Sequence, residues 1–121
     1  MEQVEFITVE SGEDLIVSFV ILRDDGEDIR SITLMRTPIC EQFLDEDERG
    51  VSVSDDDSEE DNEDNNDLLE EILFRGEKVQ LVTRDACYNL NCCRVDETEY
   101  AAARDTIAAM NFDKRFRIQH Q

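Results

Sequence analysis

The chain has 121 residues, enough for one domain and too few for two, and its 40 % hydrophobic content rules out a wholly disordered protein. Thirty-two acids against twelve Lys and Arg give a formal charge of −20. That balance argues against sequence-independent binding to nucleic acid, which needs Lys and Arg on phosphates, and against anionic membrane surfaces, leaving basic proteins or cations as the favoured partners.

The start, MEQVEFITVE, lacks a basic stretch followed by an apolar run, so no export signal is expected. The longest apolar stretch, residues 15–22, is interrupted by Ser18 and falls far short of the roughly 20 residues that span a bilayer. The expected location is cytoplasmic. In that setting Cys40, Cys87, Cys92 and Cys93 read as small apolar side chains or free thiols rather than disulfides.

Three strands are predicted to open the chain. Residues 4–9 are rich in β-formers, and Ser11-Gly12 marks a turn. Residues 15–22, LIVSFVIL, form the strongest strand pattern in the sequence. Asp25-Gly26 then suits a tight hairpin, because both central residues of such a turn need positive φ. Residues 29–35 return, and Pro38 stops the ladder because it carries no N–H. Cys40, Phe43 and Leu44 read as anchored, 45–49 as loop, and 51–53 as a short edge strand.

The next segment, VSVSDDDSEEDNEDNND over residues 51–67, holds nine carboxylates and no base. Residues 41–71 hold sixteen acids against the single base Arg49, a formal −15; the other ninety residues hold sixteen acids and eleven bases, −5. A mildly acidic domain therefore carries one very acidic insertion, at about 55–67. The insertion has no apolar area to offset the entropy of ordering it, and its like charges favour an extended, flexible loop.

Residues 68–74, LLEEILF, fit either helix or strand. The following Gly76 and the strand pattern at 79–83 favour a hairpin, with a strand at about 70–74. Arg84-Asp85 reads as a turn. Residues 87–92 return with Tyr88, Leu90 and Cys92 on one face and Asn89 and Asn91 on the other. Asp96 and Glu99 have the spacing of a capping box. Tyr100, Ala103, Ile107 and Met110 then recur at helical spacing, and Asn111 suits a left-handed end. Residues 115–119 can add a final strand through Phe116 and Ile118.

The expected fold is α+β, one domain over 1–121: a mainly antiparallel sheet of about six strands with one helix near residues 97–110. The run at 15–22 is apolar on both faces, as in strands covered on both sides. One helix covers one face only. Either the sheet curls on itself or a second copy of the chain, a homodimer, covers the other face.

The acids suggest a cation site first. A calcium loop needs oxygen ligands at positions 1, 3, 5, 7, 9 and 12 with Gly at 6. A frame from Glu60 supplies Glu60, Asn62, Asp64, Asn66 and Glu71, but it puts Asn65 at the glycine position and Leu68 at position 9, without flanking helices. Loose condensation of cations is the expectation, not a defined metal site. Zinc would need paired cysteines at short spacing, and Cys87-x4-Cys92 is the nearest approach. No glycine-rich phosphate loop occurs, no general base neighbours Cys92 or Cys93 in sequence, and the single His120 lies in the tail. No enzyme activity and no cofactor are expected.

Ser52, Ser54 and Ser58 each precede a carboxylate by three residues, a pattern acidophilic kinases read; hydroxyls that end a strand and solvate a loop are the plainer reading. Lys114-Arg115-Phe116-Arg117 is the only basic cluster, expected to offset nearby acids at a strand edge.

The functional expectation is a non-catalytic interaction module. Asp55, Asp56, Asp57, Glu59, Glu60, Asp61, Glu63 and Asp64 would engage a basic protein surface, as in an inhibitor or immunity-type protein that imitates nucleic-acid phosphates. The alternatives are a loop that only keeps the domain soluble, or a low-affinity binder of divalent cations.

Overall fold

A computed structural model describes residues 2–22, 29–38, 42–43, 50–56, 68–84 and 86–120, excluding the side chains of residues 2, 22, 29, 55 and 56. Among the described residues eight strands occur: β1 (Glu2–Ser11), β2 (Leu15–Leu22), β3 (Ile29–Arg36), β4 (Ser52–Asp56), β5 (Leu69–Arg75), β6 (Lys78–Thr83), β7 (Cys87–Asn91) and β8 (Arg117–His120). The helix α1 (Glu97–Met110) lies between β7 and β8 in sequence. The fold is a sheet-rich α+β arrangement with its helix in the C-terminal half.

The strands form one sheet in the order β4-β3-β2-β1-β7-β6-β5-β8. This corrects the expectation of about six antiparallel strands: there are eight, and two of the pairings are parallel. β1 runs parallel to β7, and β5 runs parallel to β8. Both parallel pairs join strands distant in sequence, and local alternation reveals a strand without revealing the direction of a remote neighbour. The ambiguous residues 68–74 are strand, because β6 pairs with β5 along its length through the two-residue turn Gly76-Glu77. Gly76 has φ of 58°, a conformation that costs an L side chain roughly 1–2 kcal/mol.

The sheet consists of two halves. β1 to β4 form an antiparallel meander, and Leu22 pairs with Ile29 across residues 23–28; the turn expected at Asp25-Gly26 lies outside the described residues. β5, β6 and β7 form a second meander, flanked by β8. Among the described residues β1 and β7 share two register pairs, Glu2 with Leu90 and Gln3 with Asn91, which splice the halves on this side. Beyond them side chains continue the connection. Gln3 Nε2 donates to Asn91 O at 3.3 Å, Arg94 pairs with Glu5 Oε1 at 2.7 Å, and Ile7 N donates to Glu99 Oε1 at 3.1 Å.

The sheet also curls. Leu69 N donates to Val51 O at 2.9 Å and Ser52 bridges Leu68, so the β4 end of the sheet meets β5 near its other end. This is the curled alternative weighed for the two-sided strand at 15–22. Inside the curl lies one apolar cluster, with Val17, Phe19, Ile32, Leu34, Ile72, Leu81 and Leu90 among its members and Ala103, Ile107 and Met110 contributed by α1.

The helix starts as its sequence directs, with one difference. Asp96 Oδ1 accepts from Thr98 N at 2.8 Å, but Glu99 reaches across to Ile7 instead of closing a capping box. That carboxylate serves a strand N–H which the short β1–β7 ladder leaves without a strand partner. Tyr100 ties the helix to the second half, donating to Gly76 O at 2.8 Å and meeting the Phe74 ring edge-on. Thr106, a buried position beyond the expected stripe, returns its hydroxyl to Ala102 O. Asn111 has φ of −96° rather than a left-handed conformation; the positive φ falls on Lys114, at 57°. Asn111 Oδ1 instead accepts from Phe116 N.

Candidate functional site

Of the expected acidic site, Asp55 and Asp56 are backbone members of β4, paired with Ile32 and Ser31 of β3. The insertion expected from residue 55 thus overlaps β4 by two residues: these acids extend a regular strand, because β3 offers a ladder that outweighs their local repulsion. Asp57, Glu59, Glu60, Asp61, Glu63 and Asp64 lie outside the described residues. So do Glu60, Asn62, Asp64 and Asn66 of the calcium frame. Its position 12, Glu71, is half-buried in β5 between Val82 and Arg117, and strands rather than helices stand where the flanking helices of such a loop belong.

The outer face of the first half is ordered by register into three rows. Thr8, Ser18, Thr33 and Ser54 align across β1 to β4, and the Ser18 and Thr33 hydroxyl oxygens lie 2.9 Å apart. On one side Phe6, Val20 and Ser31 align; on the other Glu10, Ile16, Met35 and Ser52 align. Val20 is buried and Ile16 half-buried, yet neither belongs to the central cluster. Phe6 and Met35 remain 41 % and 42 % exposed. None of these eleven positions is Lys or Arg. At the margin, Glu10, Glu13 and Asp14 are exposed around the β1–β2 turn, and Asp14 accepts from the Thr37 hydroxyl at 2.8 Å. No family model, curated protein or solved structure matches the chain.

The outer face of the second half has the opposite character. Arg75, Lys78 and Arg117 are exposed there beside Gln80, Asn89 and Gln119, with a shallow hollow lined by Leu73, Arg75, Lys78, Gln80 and Asn89. The basic cluster at 114–117 thus divides. Phe116 is buried, Arg115 pairs with Asp113, and only Arg117 faces outward from β8.

Cys87 and Cys93 are exposed, and Cys92 is buried. Cys40 lies outside the described residues. Burial, with the Cys93 thiol adding, pushes the Cys92 thiol up to about 12, so it stays protonated. Among the described residues no group of His, Cys, Asp and Glu is placed to hold a metal ion, and no helix is long and apolar enough to cross a membrane. His120 is a member of β8, with its ring stacked on Phe74 at 5.4 Å.

The feature that sequence reasoning missed is Arg36. Its side chain is fully buried at the end of β3, where Nη1 donates to Met110 O at 2.7 Å and the guanidinium lies 4.0 Å from the centre of the Phe112 ring. A cation there complements the negative end of the α1 dipole. Asp113 takes both Nη atoms, each at 2.8 Å. The signal was available: Arg36 is in phase with the inward-facing Ile32 and Leu34.

Proposed function

We propose that the protein is a non-catalytic interaction module whose acidic segment engages a basic surface on another protein. The concentration of charge carries this reading: a formal −15 between residues 41 and 71 of a chain whose other ninety residues carry −5. The position of β4 supports it. That strand stands at one end of the sheet order and leads the chain to Asp56, the last described residue before the acidic run. A field of one sign speeds encounter with an opposite surface and suppresses wrong partners, and salt weakens both effects. In its most specific form the carboxylates occupy phosphate-binding positions on a nucleic-acid-binding protein and so inhibit it.

The test uses oligolysine as a defined probe, titrated at low and high salt. The parent chain is expected to bind in a salt-sensitive way and to displace duplex DNA from the peptide. A variant with each Asp and Glu of residues 57–67 replaced by Asn or Gln is expected to lose most of both activities. Equal binding by that variant rejects the proposal.

A further inference from the structure

The outer face of β1–β4 has the anatomy of a protein interface. Its middle is a hydroxyl row bordered on either side by apolar pairs, Phe6 with Val20 and Ile16 with Met35. Its margin is acidic, with Glu10, Glu13 and Asp14 exposed at the β1–β2 turn. Specific interfaces have polar rims, and aromatic and Met side chains are enriched in them; here Phe6 and Met35 supply those side chains on either side of the hydroxyl row.

We propose that this face is the docking surface for the basic partner, so the inference rests on the interaction reading above and adds where contact is made. Apolar side chains of the partner cover Phe6 and Met35, its polar groups meet Thr8, Ser18, Thr33 and Ser54, and its lysines or arginines meet the marginal carboxylates. Charge selects this occupant. A second copy would bring another −20 against the same acidic margin, and an anionic membrane would be repelled likewise. The basic residues Arg75, Lys78 and Arg117 lie on the other half of the sheet and do not compete for the acids here.

Two peptides of equal positive charge separate the claims: oligolysine and a lysine–leucine peptide. With the isotopically labelled full chain, the lysine–leucine peptide is expected to shift the amide resonances of Phe6, Ser18, Thr33 and Met35. Replacing both Phe6→Ser and Met35→Ser should weaken that peptide about tenfold while leaving oligolysine unchanged. Thr8→Lys, a substitution at an exposed position on the same face, should also weaken the lysine–leucine peptide, and it keeps the test decisive if the double variant fails to fold. Undiminished binding by the folded variants, or shifts that avoid β1–β4, overturns the docking face and leaves the charge-based function standing. Failure of both peptides to bind the parent at low salt overturns both.

Discussion

Arg36 in β3 and Asp113 after α1, 77 positions apart, meet in a two-point ion pair with both oxygen–nitrogen distances at 2.8 Å. The guanidinium side of the pair is fully buried and the carboxylate is 29 % exposed. Removing one partner of a buried pair leaves a charge that water cannot reach. Asp113→Ala should therefore cost about 3 kcal/mol, at the low end for such pairs because Asp113 is partly solvated. The pair also gives a pH signature. The hydrogen bond from Arg36 holds the Asp113 carboxyl down at about 2 from an ordinary 3.8, with Arg115 assisting and burial opposing. A depressed carboxyl stabilises the fold above its unfolded pKa and loses that contribution as pH falls towards the folded value. The stability difference between the parent and Asp113→Asn, measured by urea unfolding, should be constant above pH 4 and shrink between about pH 4 and 2. A difference unchanged across that window would contradict the assignment.

Glu99 should behave as a strand partner, not as a helix cap. Glu99→Ala leaves the Ile7 N–H beside the core without its acceptor, an expected loss of about 1–3 kcal/mol. Glu99→Gln keeps an acceptor oxygen and should lose less. Amide exchange checks the assignment at one atom: Ile7 N–H should exchange faster in the alanine variant, while helix amides such as that of Thr98, which Asp96 serves, keep their protection.

The thiols should separate by reactivity. Alkylation of the native protein near neutral pH, read by peptide mass, should modify Cys87 and Cys93, which are exposed. Cys92 should react only after denaturation, because the thiolate is the nucleophile and burial holds the Cys92 proton in place to about pH 12. Modification of native Cys92 at the rate of Cys93 would mean that the segment after β7 opens readily.

Much of the architecture was legible in particular residues. The bounds of β2 match the apolar run at 15–22, and those of α1 match the alanine-rich stretch behind Asp96. Ile118 announced a strand, realised as β8, which begins two residues after the expected start and leaves Phe116 just outside it. Strand direction was not legible, because β8 finds β5 across more than forty residues and nothing local to Arg117–His120 encodes that pairing. The acidic run misled at Asp55 and Asp56: composition measures repulsion along the chain, whereas β3 supplies the hydrogen bonds across it. At the candidate site, Phe6 and Met35 became visible only through register, which aligned them with the hydroxyl row. Arg36 could be placed inward by alternation, but its partner Asp113 could not be named from spacing.

The splice at Glu2–Leu90 and Gln3–Asn91 imposes an order on the life of each molecule. β1 stays without its β7 neighbour until the chain has been made from Gln3 through to Asn91, and β5 waits in turn, over a shorter stretch, for β8. Each meander can form from near neighbours as it emerges, but locking the two together is a late, non-local event of the kind that slows maturation.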